Sequence, residues 1–240
     1  MPTVDVVIPV YNEEKALPKS IPELRAFLVG DDFPYEWRIV IADNASIDDT
    51  PAVGRSLSEQ TPDEVEYVRI ERKGRGFALK QTWSQSRADI MSYMDVDLST
   101  GLEAFPPLIR AIAEGGYGVA TGSRLARKSK VDRSLTRTAL SRGYNLIIKA
   151  MLQTRFSDAQ CGFKAISREV AQKVLPLVRD NNWFFDTELL ILAEKMGYRI
   201  KDVPVRWIED RDTRVKIGAT ITEDLRGLWR MRRERPWRVR

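Results

Sequence analysis

An apolar run, Ile90 to Met94, ends in two carboxylates one residue apart, Asp95 and Asp97, in the stretch IMSYMDVDLST. Like charges this close repel each other, and at the end of a buried strand they also lose water. A hard divalent cation relieves both costs. Mg²⁺ and Mn²⁺ prefer oxygen ligands and often bind through one or two carboxylates together with substrate phosphates. As a bare pattern D-x-D usually marks a solvated loop, so the weight rests on its place at a strand end.

Composition removes most other chemistries. The 240 residues, 43% hydrophobic and 30% charged, suffice for one large domain, and there is no histidine among them. Ser-His-Asp and Cys-His triads, histidine-ligated zinc and the usual neutral-pH base are therefore excluded. Cys161 is the only cysteine, so no intrachain disulfide forms, and it reads as a small buried residue in a cytosol-facing protein. Any chemistry must come from carboxylates, amides, hydroxyls, Lys and Arg, with or without a metal held by oxygen. The opening MPTVDVVIPVYNEE has no basic n-region or cleavage-like site and is not expected to be a signal peptide. No apolar stretch approaches the ~20 residues of a spanning helix, so a soluble or peripheral chain is expected. Of the net charge of +5, the segment from Leu225 to Arg240 carries seven Arg against one Glu. The remaining body is close to neutral, which does not suit nucleic acid.

The elements that must position the aspartates alternate along the first half. Strands are expected at Val4–Val10, Trp37–Asp43, Val65–Ile70, Ile90–Met94 and Tyr117–Thr121, with helices at Leu17–Val29, from Asp48–Thr50, Phe77–Ser86 and Glu103–Glu114. This pattern predicts an α/β fold, a mostly parallel central sheet with helices on both faces. Ligands of such sheets bind beyond the carboxyl ends of the strands, so Glu13, Asp43, Lys73–Arg75 and Asp95/Asp97 should meet on one rim. Later, Arg124–Arg137 reads as a basic loop, Leu135–Leu152, Arg168–Leu177 and Asp186–Met196 as helices, CGFKAIS as a short strand and Tyr198–Trp207 as another. A single domain over 1–220 is expected, followed by a basic amphipathic tail at 221–240. There Leu225, Leu228, Trp229 and Met231 alternate with Arg226, Arg230, Arg232 and Arg233, a pattern suited to an anionic membrane surface.

Taken in order, PVYNEE (Pro9–Glu14), ADNASIDDT (Ala42–Thr50), ERKGRGFALK (Glu71–Lys80), MDVDLST and TGSR (Thr121–Arg124) closely resemble glycosyltransferase family 2, whose members have the GT-A fold. SDAQCGFKAIS (Ser157–Ser167), WFFDTELL (Trp183–Leu190) and VPVRW (Val203–Trp207) resemble its polyprenyl-phosphate, or dolichyl-phosphate, branch, most of all the β-glucosyltransferases. The likeness spans residue 4 to about 215, and only the ordered set is specific. It implies that Pro9, Tyr11, Asn12 and Glu13 line a nucleotide pocket, that Asp43 with Asn44 meets the base, and that Lys73 and Arg75 help close the pocket. Asp95, Val96 and Asp97 would meet the phosphates, with Asp97 and Asp95 on Mg²⁺ or Mn²⁺. Arg124, with Arg133, Arg137 and the late Arg214, would meet the acceptor phosphate. Gln160, Trp183, Asp186 and Glu188 would lie near sugar and acceptor, although Asp186 and Glu188 also suit a helix N-terminus on electrostatic grounds alone.

Two departures stand out. Where family members often read D-D-G-S, this chain has Asp43-Asn44-Ala45-Ser46, and Ser99 stands where related mannosyltransferases often have Gln. The latter tilts the expectation to glucose. The resemblance implies inverting, metal-dependent transfer of a hexose from a nucleotide-diphosphate sugar to polyprenyl phosphate at the cytoplasmic face of a membrane. UDP-glucose is the first choice of donor and GDP-mannose the second. A monoester phosphate, with a second pKa of ~6, arrives already ionised and needs no general base, which accords with a chain lacking histidine. A hydroxyl acceptor with Asp186 or Glu188 as base, and a non-catalytic nucleotide-sugar sensor at a membrane, are the alternatives.

Overall fold

The computed structural model describes residues 1–30, 33–208 and 217–238, with side chains from 222 onward in the last stretch. Its centre is a seven-stranded sheet ordered β3-β2-β1-β4-β7-β5-β8. The strands are β1 (Thr3–Val10), β2 (Glu36–Asn44), β3 (Val65–Ile70), β4 (Ile90–Met94), β5 (Val119–Ser123), β7 (Phe163–Ser167) and β8 (Ile200–Pro204). All neighbours pair in parallel except β7, which runs antiparallel to both β4 and β5.

Period-two alternation feeds two cores, as expected for a sheet covered on both faces. From β1, Val7 enters one core while Val6 and Ile8 enter the other. The second core is closed by α1 (Leu17–Leu28), α2 (Thr50–Gln60) and α4 (Phe105–Ala113). The first is closed by α3 (Arg75–Gln85), α5 (Leu135–Leu152), α6 (Arg168–Lys173), α7 (Phe185–Lys195) and α8 (Ile217–Glu234).

Proline accounts for two differences from the expected elements. The helix expected over 168–177 stops at Lys173, and a separate 3₁₀ turn at Leu175–Leu177 carries Pro176. The strand expected over 198–207 breaks after Pro204. Its continuation β9 (Arg206–Ile208) leaves the main sheet and pairs in parallel with β6 (Lys130–Asp132), a strand within the segment expected to be a basic loop.

The expected boundary at 220 falls inside α8, and the four apolar tail residues do not form one surface stripe. Leu228 and Met231 are fully buried in the first core, whereas Leu225 and Trp229 are 43% and 65% exposed. Gly227 lies so close to Phe184 that a Cβ would sit 2.5 Å from its ring, so helix and body are in close contact. Leu228→Ala should therefore destabilise the protein by about 2–5 kcal/mol. Trp229→Ala should change stability by no more than about 0.5 kcal/mol. Urea unfolding of the two variants checks the seating of α8; equal, small effects would contradict it.

Candidate active site

The carboxyl ends of β1, β2, β3 and β4 form one rim, stitched by cross-loop hydrogen bonds. Asn12, in the left-handed conformation at φ 57°, donates its backbone N–H to Ser46 Oγ (2.9 Å), and its Oδ1 accepts from Ile47 N (2.9 Å). Glu13 N donates to Thr50 Oγ1 at 2.7 Å. Ala45 sits at φ 60°, a conformation that glycine takes without a Cβ penalty and that the D-D-G-S pattern supplies. Pro9, Tyr11 and Glu13 are half-buried along this edge, and the Lys73 ammonium lies 3.6 Å from the centre of the Tyr11 ring.

Asp43, at the end of β2, is fully buried. It accepts hydrogen bonds from Tyr67 Oη (2.5 Å), Arg69 Nη1 (2.8 Å) and Ser46 N (2.9 Å). Burial pushes its carboxyl up, but the Tyr67, Ser46 and Arg69 donors outweigh this and hold it below the usual range. Its neighbour Asn44 accepts from Gly74 N at 2.6 Å, which ties the Lys73–Arg75 loop to this strand end. Gly76, in the first turn of α3, packs on Phe185 so tightly that a Cβ would come within 2.6 Å of the phenylalanine Cβ.

Arg75 is the hub. Its guanidinium bridges Asp95 Oδ1 (2.7 Å) and Asp186 Oδ2 (2.8 Å), and it lies over the rings of Tyr93 and Trp183. Asp186 also takes the Tyr93 hydroxyl hydrogen bond and an ion pair from buried Lys164 at 3.1 Å. Burial raises the Asp186 carboxyl, yet Lys164, Arg75 and Tyr93 together hold it below its ordinary value. The two cations and two carboxylates balance, which is how a buried set of charges becomes tolerable.

Asp95 rests against Gly162, the residue before β7. A Cβ there would lie 1.8 Å from Asp95 Oδ2, so only glycine admits this carboxylate. Because β7 is antiparallel, its entry loop arrives at the same rim as the carboxyl ends of the other strands. Asp97 is exposed, and its Oδ1 accepts from Ser99 N at 3.0 Å. Between them Val96 packs inward, and Leu98 turns the chain at φ 51°, a strained conformation for a branched side chain.

Several expected site residues have other partners. Arg124 grips buried Asp158 with Nε (2.8 Å), Nη2 (3.0 Å) and its backbone N–H (3.0 Å). Its backbone N–H, Nε and Nη2 are thus engaged by a protein carboxylate. Burial raises the Asp158 carboxyl, but Arg124 outweighs it and keeps it below the usual range. Glu188 also has other partners. It faces away from Asp186, fully buried, where it accepts from the backbone N–H groups of Arg179 and Asp180 and pairs with Arg230 of α8 at 2.9 Å. It anchors α8 and lies outside the rim. Arg133 and Arg137 flank the start of α5, with Arg133 Nε donating to Thr138 Oγ1 and Arg137 N to the capping Ser134 Oγ. Arg214 lies outside the described residues. Gln160 donates Nε2 to Asp224 of α8 at 2.9 Å. Cys161 is buried as expected, its thiol pushed up to about 12 chiefly by burial.

Lys164, Asp158 and Asp224 were not singled out by the sequence. Lys164 had a signal: a lysine inside the apolar run CGFKAIS needs a buried partner. Asp158 and Asp224 had none, since their partners come from distant segments.

Two rim carboxylates on one short loop, one exposed and one half-exposed, suit a hard cation. Among the described residues no three acidic, Cys or His groups cluster as a metal site. Asp95 and Asp97 supply carboxylate oxygens for part of a Mg²⁺ or Mn²⁺ shell, which phosphate and water oxygens can complete.

A family profile described as Glycosyl transferase family 2 matches residues 5–175. The chain belongs to that family. Glycosyltransferase AglD of Haloferax volcanii is 34% identical over 236 residues, covering 95% of this chain and 37% of that protein. The present chain thus spans little more than a third of that relative. Dolichyl-phosphate β-glucosyltransferase ALG5A of Trichomonas vaginalis is 28% identical over 246 residues, 99% of this chain and 76% of its own length. A dolichyl-phosphate β-glucosyltransferase of Drosophila melanogaster is 31% identical over 220 residues, 86% of this chain and 67% of its own. Among solved structures, glucosyl-3-phosphoglycerate synthase of Mycobacterium tuberculosis, in complex with Mn²⁺ and UDP-glucose, superposes with a TM-score of 0.69 at 20% identity, covering 96% of this chain and 79% of that one. Mannosyltransferase PcManGT of Pyrobaculum calidifontis, in complex with GDP-Man and Mn²⁺, gives 0.58 at 21%, covering 97% and 61%. The fold is GT-A, and the protein is a glycosyltransferase.

Removing the guanidinium of Arg124 leaves Asp158 buried and uncompensated, which should cost about 3–5 kcal/mol at neutral pH. The native Asp158 carboxyl sits below its unfolded value of ~3.9, so the pair's contribution is present above that pH and is lost on further acidification. Urea unfolding of Arg124→Ala should show a deficit that is large at pH 7 and shrinks below about pH 4. A fully stable variant would mean that Arg124 is free for a ligand.

Proposed function

We propose that this glycosyltransferase moves a hexose, glucose in the first instance, from UDP-glucose to polyprenyl or dolichyl phosphate, with inversion and with Mg²⁺ or Mn²⁺. The observation that carries the choice of acceptor is the state of Asp186. A hydroxyl acceptor calls for a general base, yet Asp186 is buried and held by Arg75, Lys164 and Tyr93 in a state with little proton affinity. Glu188 is buried beneath α8. An acceptor that arrives ionised needs neither.

In this reading Tyr11, Asn12 and Glu13, with the Asp43–Asn44 strand end, form one wall of the nucleotide site, and Lys73 closes over Tyr11. Asp95 and Asp97 hold the cation, which when bound neutralises the diphosphate and stabilises its departure. Arg75 balances Asp95 before the donor enters and stays paired with Asp186 afterwards, so the rim loses no charge compensation. Trp183, stacked on Arg75 and 43% exposed, gives an aromatic edge for the sugar. The chain's remaining task is alignment, which brings the charged acceptor in line behind the anomeric carbon. Arg133 and Arg137 at the start of α5 are the cations that would meet the acceptor phosphate. With GDP-Man bound to the Pyrobaculum neighbour, guanosine and mannose form the second reading of the donor.

In this reading the protein works peripherally at the cytoplasmic face of a membrane, where it meets its lipid acceptor. No helix among the described residues is long and apolar enough to cross one. Exposed Leu225 and Trp229 on α8, with neighbouring Arg226 and Arg233, and exposed Leu140, Leu146 and Ile147 on α5 suit an anionic lipid surface.

The test incubates the protein with Mn²⁺, polyprenyl phosphate and either UDP-glucose or GDP-mannose, and follows sugar into the organic phase. Glucose should enter from UDP-glucose, and Asp97→Ala should lose about 100-fold or more of that transfer, about 2.7 kcal/mol of barrier. Transfer only to water-soluble hydroxyl acceptors would refute the reading. So would an Asp97→Ala variant of unchanged rate.

A further inference from the structure

Gln160 belongs to the loop that enters β7 at the rim, beside Gly162, against which Asp95 packs. Its Nε2 lies 2.9 Å from Asp224 Oδ2. Asp224 is on α8, 64 residues away in sequence, and is only 2% exposed. A carboxylate can only accept hydrogen bonds, so an ionised Asp224 takes the NH₂ end of the amide and leaves Gln160 Oε1 turned away from α8. Among the described residues buried Asp224 Oδ1 has no hydrogen-bond partner, although α8 could have covered this loop with an apolar residue at no such cost. A buried carboxylate that holds an amide of the rim as well as the Tyr144 hydroxyl of α5, with its second oxygen unpaired among the described residues, calls for a reason beyond packing.

We propose that Asp224 is a positioning residue for sugar transfer: it fixes the Gln160 side chain with its carbonyl oxygen facing the rim, ready to accept a hydrogen bond from a hydroxyl of the transferred sugar. The inference rests on the proposed function above, which puts Gln160 near the sugar. It makes α8 part of the reaction apparatus as well as of the core, because unseating the helix releases the amide.

The surroundings make this device sensitive to pH. Asp224 faces Tyr144 from α5, Gln160 from the rim loop, Asp180 and Asp186 from the α7 region, and Glu223 on its own helix. Burial is the largest influence, the three acids add to it, the Tyr144 hydrogen bond opposes it, and the carboxyl is pushed up to about 7. Above that pH the ionised group enforces one amide orientation. Below it the protonated acid can donate to Gln160 Oε1 as well as accept from Nε2, so both orientations are open. The stability sign is opposite. Because the folded value is raised, the stabilisation linked to the bound proton is full below the unfolded value of ~3.9 and is lost as pH rises towards 7. The fold thus gives up stability near neutral pH to keep an orienting charge.

Two readouts test the proposal on the full chain. The first is the side-chain NH₂ resonance of Gln160 by NMR, assigned through Gln160→Ala, followed from pH 5.5 to 8.5 without any substrate. It should titrate with a midpoint near 7 in the wild type and stay flat in Asp224→Asn. The second is steady-state transfer from UDP-glucose to polyprenyl phosphate. Asp224→Ala should lower kcat by about tenfold with little change in donor KM, the mark of an interaction made at the transition state. Asp224→Asn should recover most of the loss, and the ratio of wild-type to Asp224→Asn rates should rise from pH 6 to pH 8. That ratio cancels ionisation of the acceptor phosphate. A Gln160 resonance indifferent to pH would overturn the proposal whether or not the acceptor has been correctly identified. A titrating amide with kcat, KM and the rate ratio unchanged in both Asp224 variants would equally overturn it. Transfer to a different acceptor would undo the functional reading alone, and the same ratio measured with that acceptor would still decide the role of Asp224.

Discussion

One guanidinium organises the rim. Arg75 stands between Asp95 and Asp186, two carboxylates brought together from segments more than ninety residues apart. Without a cation there, the half-exposed charge at the end of β4 would be opposed by the buried carboxylate of Asp186. With it, a strand end, the loop entering α3 and the start of α7 are held in one geometry. Lys164 from β7 completes the balance from below. A site that must receive a diphosphate needs anionic groups able to take a metal and cationic groups able to take phosphate oxygens. Packing them as mutual partners beforehand is the least costly way to hold both, and little reorganisation is then required when the donor enters.

The sheet supplies the geometry for this. Parallel strands deliver their following loops to one edge, which is why residues near 12, 43, 74 and 95 meet. The reversed strand β7 contributes differently: its preceding loop, Asp158 to Gly162, comes to that same edge. Glycine at 162 is the condition of contact, since any side chain would displace Asp95. The helices on the first face then act as a brace. α7 turns buried Asp186 towards Arg75 and buried Glu188 towards Arg230 within a single turn, so one short segment serves the rim with the first acid and the anchoring of α8 with the second.

What could be read from the sequence followed from periodicity and from chain order. Apolar β-branched runs separated by amphipathic stretches give the sheet, and the parallel-sheet rule gives the rim before any contact is known. The D-x-D loop was legible because two acids at the end of an apolar run have few bland explanations. Pairing was not legible. Nothing local to Arg124 says that it is held by Asp158, since both the basic segment and the acid suit a solvated loop equally well. The two acids of DTELL could not be told apart because both are favourable at a helix N-terminus. In α8 the repeat admits two apolar faces, and only the seating of the helix shows that Leu228 and Met231 are core while Trp229 is surface. The breaks at Pro176 and Pro204 were visible as residues, but the second sheet that β9 joins depends on a partner strand too short to recognise.

The central claim is that the protein holds half a metal site and the nucleotide diphosphate brings the other half. Calorimetric titration of Mn²⁺ in the absence and presence of UDP tests this most directly. Weak binding of the metal alone, tightened about tenfold or more by UDP, with an equal tightening of UDP by the metal, is the predicted result. Tight Mn²⁺ binding indifferent to UDP, or UDP binding unchanged by removing the metal, would contradict it.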